Sequence, residues 1–150
     1  MTKDAASPDK TIAFQGEPGA NSHIACREAF PDMTDLPCDT FEDVFAAVNE
    51  GRARLAMIAI ENSLAGRVAD VHHLIPGAGL YIVGEHFLPV RHQLLGLKGS
   101  RIEDIRTVHS HVHALGQCRR AIRELGLKAG GAADTAGAAR EVVEAADETR

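Results

Sequence analysis

Apolar positions in this chain fall into short runs and one-sided stripes that alternate with polar, Gly-marked turns. Thr11 to Gln15 reads as a short strand, and Gly16-Glu-Pro-Gly-Ala-Asn-Ser22 as a turn entering a helix that Pro31 ends. Asn21 or Ser22 is placed to cap that helix. Met33 to Cys38 is a weaker second strand. Thr40 then caps a helix in which Phe41, Val44, Phe45 and Val48 recur at the i, i+3, i+4, i+7 spacing of one buried face. Asp43 stands at the capping-box position, and Gly51 marks the stop. Leu55 to Ile60 is almost continuously apolar, as expected of a strand buried on both faces. Strands alternating with helices over residues 11 to 60 predict a parallel sheet covered on both sides.

Glu61, Asn62 and Ser63 follow with no Gly or Pro between them. Beyond the carboxyl ends of parallel strands lies the crevice where ligands bind. Asn62 or Ser63 can equally cap a helix predicted over residues 65 to 75, and the two roles are compatible. Pro76-Gly77 ends that helix. Leu80 to Gly84 is a further strand, and Leu88 to Leu97 a long extended segment containing Pro89. A segment of that length after a complete β-α-β-α-β unit suggests a crossing into a second lobe near Glu85 to His92. The second lobe is expected to hold a strand at Thr107 to Ser110 and a helix from Val112 to Leu125 with Leu115, Cys118, Ile122 and Leu125 on its core face. A short strand over Leu127 to Ala133 and a last helix from Asp134-Thr135 follow, the latter with Ala138, Ala139, Val142, Val143 and Ala146 on one face. The expected organisation is a disordered tail over 1–10, a first lobe over 11–88 and an incomplete second lobe over 89–150.

Composition narrows the functional classes. A net charge of −5 argues against nucleic acid or an anionic membrane as partner, and 4% aromatic content without Trp argues against base stacking. Cys26, Cys38 and Cys118 are odd in number and lack C-x-x-C spacing, which points to reduced thiols in a cytoplasmic protein. Met1 to Lys10 has no apolar core, so it resembles neither a signal peptide nor a membrane span, nor an Arg-rich transit peptide.

Polar groups gather at the predicted strand-to-helix junctions: Asn21 and Ser22, Glu61 to Ser63, Ser110 and His111, Asp134 and Thr135. Facing lobes would bring them to one cleft rich in N–H and hydroxyl donors, suited to a small carboxylate. Gly16 and Gly19 match neither G-x-G-x-x-G nor a P-loop ending. His109, His111 and His113 alternate, but the helical pattern from Val112 argues against one ligating face, so no metal is expected. No Ser sits in a G-x-S-x-G elbow and no Cys adjoins a His.

Taken together, the Gly16-x-x-Gly19-x-x-Ser22 turn, the Phe41-x-x-Val44 helix ending at Gly51, and Glu61-Asn62-Ser63 with Gly66 resemble prephenate dehydratase. Glu85…His92-x-Leu94, Ser110-His111…Ala114-Leu115-x-Gln117-Cys118 and Asp134-Thr135-Ala136…Ala138-Ala139 continue the resemblance in order. It implies a two-lobed α/β fold like that of type II periplasmic binding proteins, each lobe a mainly parallel sheet flanked by helices. The implied activity is a hydro-lyase of L-phenylalanine biosynthesis that takes prephenate to phenylpyruvate with loss of water and carbon dioxide, in a cytoplasmic homodimer without metal or organic cofactor. Carried over by position, Ser22, Asn62, Ser63, Ser110, His111 and Thr135 line the substrate pocket; Glu61 is expected to be structural, because a free carboxylate would repel a dianionic substrate. Ala20 replaces a hydroxyl residue common in the family's turn, and Val112 and His113 replace Pro and Gln. The family's Thr-Arg-Phe motif, whose Thr is the expected proton donor, is absent from these 150 residues. The resemblance therefore implies a C-terminally truncated catalytic domain, without a regulatory domain, that is inactive as written. Two alternatives are a cytoplasmic small-carboxylate sensor of the same fold and arogenate dehydratase; the missing transit peptide favours prephenate.

Overall fold

The central element of the first sheet is β1 (Thr11–Gln15), whose Ile12, Ala13 and Phe14 are wholly buried. The computed structural model describes residues 7–146. β2 (Thr34–Cys38) and β3 (Leu55–Met57) pair in parallel on either side of β1, with Phe14 level with Pro37 and Met57. Alternation along β1 sorts its side chains between two layers. Ala13 faces Val44 and Ala47 of α2 (Phe41–Asn49), with Cys38 and Ala53 in the same cluster. Ile12 and Phe14 pack with Cys26 of α1 (Asn21–Ala29), next to Met33, Leu55 and Met57. Burial of each large side chain contributes about 1.5–3 kcal/mol, so this strand and its two covering helices dominate the unit's stability.

The α2 start follows the predicted capping box: Thr40 Oγ1 accepts from Asp43 N at 3.1 Å, and the Asp43 carboxylate accepts from Thr40 N at 3.3 Å. Elsewhere the tertiary structure departs from the local pattern. The Leu55–Ile60 run is not a strand buried on both faces. The strand order β2-β1-β3 leaves β3 with one described neighbour, it spans three half-buried residues, and Ile60 is exposed. The helix expected over 65–75 begins later, because β4 (Glu61–Asn62) and β5 (Gly66–Arg67) form an antiparallel hairpin. α3 (Ala69–Leu74) then runs into a 3-10 turn at Ile75–Gly77, with Val71 buried. Pro8–Lys10, expected in the disordered tail, form a 3-10 turn tied to β1 by Thr11 Oγ1 donating to Ser7 O at 3.0 Å; the rest of that tail, residues 1–6, lies outside the described residues.

The described chain divides into a unit ending at Pro89 and another beginning at Val90. The strand expected at Leu80–Gly84 is not formed, and no ladder bonds pair the segment within the described residues. Its Tyr81, Ile82 and Val83 are 90%, 78% and 78% exposed. In the second unit, β6 (Thr107–Ser110) and β7 (Lys128–Gly131) are parallel, with Ser110 level with Gly131. The single helix expected from Val112 to Leu125 is two, α4 (Val112–Gln117) and α5 (Arg119–Glu124), separated at Cys118, whose φ of −92° and ψ of 5° leave helical geometry. α6 (Thr135–Ala145) follows, capped by Asp134 Oδ1, which accepts from Gly137 N at 2.7 Å. Gly137 and Ala138 form its buried face, while the expected Val143 is 66% exposed and Ala146 adopts the left-handed cap conformation. Each unit thus carries a parallel sheet flanked by helices.

Candidate functional site

The polar junctions predicted from the sequence lie where parallel strands end. In the first unit, β1 and β3 run in parallel and in register, so the turn after β1 and the segment after β3 leave the same sheet edge. Gly16 and Gly19 both hold positive φ, 106° and 97°, a region that only Gly enters at low cost, and the turn needs both. Ser22 is the second residue of α1 and half-buried. Neither it nor Asn21 caps the helix: the N-cap is Ala20, which makes no side-chain cap bond. The turn is closed by His23, whose Nδ1 accepts from Gly19 N at 2.9 Å, with Ala20 N donating to Glu17 O at 3.0 Å.

Asn62 and Ser63 lie at the bend of the β4–β5 hairpin, so neither caps α3, whose N-cap is Val68. Asn62 Oδ1 accepts from Leu64 N and Ala65 N, both at 2.9 Å, a local Asx-type turn that shapes the bend. Ser63 is exposed at its tip. Glu61 lies opposite Arg67 across the hairpin.

In the second unit, the ends of β6 and β7 are tied together by Ala132 N donating to Ser110 O at 2.9 Å. Ser110, the last residue of β6, and His111 after it therefore share an edge with Asp134 and Thr135 after β7. Ser110 is 8% exposed, and its Oγ is buried with no hydrogen-bond partner among the described residues. An orphaned hydroxyl of this kind costs about 1–3 kcal/mol unless something satisfies it. His111 is the N-cap of α4, its Nδ1 accepting from His113 N at 3.3 Å, which places the proton of a neutral ring on Nε2. Thr135 opens α6 and is exposed.

The alternating histidines do not converge. His111 and His113 meet edge to face at 4.9 Å between centroids, whereas the His109 ring lies over Gly130, where an added Cβ would come within 2.5 Å of Cε1. Among the described residues no three His, Cys, Asp or Glu side chains are grouped to hold a metal ion. Burial raises the thiol pKa values of Cys26, to about 12 with a further contribution from Asp35, and of Cys38, which suits neither to nucleophilic work. Sequence reasoning missed His23 and Asp35, whose side chains meet at 3.3 Å. The available signal was a His four residues after Gly19, within one helical turn of the loop.

Comparison with known proteins extends these observations. The chain is 57% identical over 136 residues to a bifunctional N-acyl-homoserine lactone acylase/prephenate dehydratase of Komagataeibacter europaeus, covering 91% of this chain and 48% of that protein. It is 42% identical over 131 residues to arogenate dehydratase/prephenate dehydratase 2 of Arabidopsis thaliana, covering 87% of this chain and 34% of that protein. The crystal structure of prephenate dehydratase from Arthrobacter aurescens, in complex with L-Phe, superposes with a TM-score of 0.70 at 26% identity, covering 89% of this chain and 46% of that one. The chain thus spans half or less of the length of these relatives. Its α/β architecture is that of the dehydratases, a periplasmic-binding-protein-like fold. Because the prephenate dehydratase family model matches residues 12–150, from the buried centre of β1 to the last residue, the chain belongs to the prephenate dehydratase family.

Proposed function

We propose that this chain holds prephenate for conversion to phenylpyruvate, with Ser22, Asn62, Ser63, Ser110, His111 and Thr135 binding the dianion. The observation that carries the reading is the buried, unpartnered Ser110 Oγ at the β6–α4 junction, a donor that a substrate carboxylate would satisfy. Prephenate carries two carboxylates and a ring hydroxyl. In the reaction the C–O bond to that hydroxyl and the C–C bond to the ring carboxylate break, the latter pair entering the ring as it becomes aromatic. One proton must reach the departing hydroxide to form water. Donors that orient the dianion, and a group that gives up that proton, suffice in principle.

No residue of this chain is assigned the proton, since the 150 residues contain no Thr-Arg-Phe sequence. The proposed working state is a cytoplasmic homodimer, tested by light scattering and cell fractionation. The main test is phenylpyruvate absorbance with prephenate or arogenate as substrate, beside calorimetric titration, on the natural gene product. The expected result is prephenate turnover by the gene product. Ser63→Ala and Thr135→Ala should each raise KM severalfold in the gene product. Preferred turnover of arogenate would reassign the substrate, and binding without turnover in the gene product would make it a carboxylate sensor.

A second reading follows from the Komagataeibacter relative, whose name includes an N-acyl-homoserine lactone acylase activity. Release of homoserine lactone from an N-acyl-homoserine lactone would support it, and its absence would leave the dehydratase reading alone.

A further inference from the structure

We propose that His23 is a positioning residue for substrate binding, a clamp that holds the Gly16–Ala20 turn and, through it, Ser22. This rests on the reading that Ser22 contacts the substrate. α1 begins without a side-chain cap, at Ala20, after two Gly residues in positive-φ conformations. Such a turn has little of its own to keep it in one shape.

His23 supplies what the missing cap does not. Its Nδ1 accepts the Gly19 amide at 2.9 Å, and its Nε2 lies 3.3 Å from Asp35 Oδ2 on β2. Nδ1 can accept only when it carries no proton, so the neutral ring must hold its hydrogen on Nε2, the atom facing the Asp35 carboxylate. The carboxylate therefore selects the tautomer that the turn requires. Phe14 of β1 stacks on the ring, with centroids 5.4 Å apart and planes at 29°, which blocks rotation away from the amide. Arg27 Nη1, 3.6 Å from the same Asp35 oxygen, steadies the carboxylate from the next turn of α1. The remaining carboxylate oxygen, Asp35 Oδ1, is buried without a hydrogen-bond partner among the described residues. An acidic group kept half-buried at that desolvation cost, beside a histidine that grips a glycine turn, has a natural use in orienting the imidazole.

The clamp joins a turn, a helix and a strand of one unit, and Ser22 lies between Gly19 and His23 in sequence. Releasing the Gly19 amide loosens the backbone on which Ser22 is carried, while the groups assigned to the second unit stay in place. Substrate affinity should suffer more than the chemical step.

The test compares wild type, His23→Ala, His23→Asn and His23→Gln in the natural gene product, with KM and kcat for prephenate. Asn places its carbonyl oxygen near the Nδ1 position and can accept from Gly19, whereas Gln reaches towards Asp35 without serving the turn. Expected are a rise in KM of about tenfold for His23→Ala with kcat within about twofold, recovery of most of that loss by His23→Asn, and none by His23→Gln. Long-range 1H–15N correlation spectra of the wild-type imidazole should show an unprotonated Nδ1 and a protonated Nε2, whether or not substrate turns over. A wild-type KM in His23→Ala, His23→Asn no better than His23→Gln, or a protonated Nδ1 in the neutral ring would overturn the proposal. If His23→Ala does not fold, the contrast between His23→Asn and His23→Gln decides the matter. Wild-type protein that neither binds nor converts prephenate defeats the functional reading instead, and Ser22→Ala with unchanged KM beside an impaired His23→Ala overturns the route through Ser22.

Discussion

Ser110→Ala should move stability and binding in opposite directions. The Ser110 Oγ is buried at the end of β6 and has no partner among the described residues, so the free protein carries the cost of a desolvated hydroxyl. That cost is about 1–3 kcal/mol, and replacing the hydroxyl by hydrogen removes it while leaving an oxygen-sized void whose own cost offsets part of the gain. A net gain of about 1 kcal/mol is expected, which for a chain of this size raises Tm by about 3 °C. Bound substrate reverses the balance. A hydroxyl donating to a carboxylate oxygen contributes about 1.5–3 kcal/mol, so losing it should weaken prephenate binding by roughly ten- to hundredfold. Urea denaturation with and without prephenate, together with calorimetric titration, measures both quantities on one pair of proteins. The reasoning is refuted if Ser110→Ala loses 1 kcal/mol or more in the absence of ligand, which would mean the hydroxyl already has a partner. Unchanged prephenate affinity would equally remove Ser110 from the site.

Thr40→Ala removes the capping oxygen that Asp43 N donates to and should lower stability by about 1 kcal/mol, read as a shift of the urea midpoint without change of slope. Gly130→Ala would place a Cβ 2.6 Å from His109 Nδ1, forcing the ring off β7; a loss of about 1–3 kcal/mol in the second unit is expected by thermal melting, and an unchanged melt would show that the ring moves freely. Cys26, whose thiol pKa is raised from 9.0 to about 12 in the folded chain, ionises more readily when unfolded. Its contribution to stability is full below about pH 9 and is lost as the pH rises towards 12. Cys26→Ala should therefore flatten the alkaline fall of unfolding free energy, and an identical slope in wild type and variant would contradict the assignment.

The legible part of the fold was the part written in local pattern. β1, α2 with its capping box, β6 and the start of α6 at Asp134-Thr135 follow from periodicity and end signals within a few residues of each other. The placement of the candidate residues near strand ends was legible for the same reason: Ser110 ends β6, His111 follows it, and Asn62 and Ser63 come after β3. Their roles were not: Asn62 turned out to shape a hairpin bend, Ser22 is not a cap, and the residue closing the first turn is His23, which no periodicity or capping pattern singles out.

Partnership between distant residues was decided only by the tertiary structure. Leu55–Ile60 has the composition of an interior strand, yet β1 occupies the middle because β2 and β3 pair on its two sides. Leu80–Gly84 has the composition of a strand but no described partner, and an extended segment without a neighbour gains no ladder hydrogen bonds. The Asp35–His23–Gly19 connection spans two elements and twelve residues from carboxylate to ring, beyond any local period. Sequence by itself determined which segments could be helix or strand, because propensity, capping and side-chain alternation act within one or two turns. Sheet order, the hairpin at 61–67 and the pairing that orients His23 belong to contacts whose free energy appears only when separate segments meet.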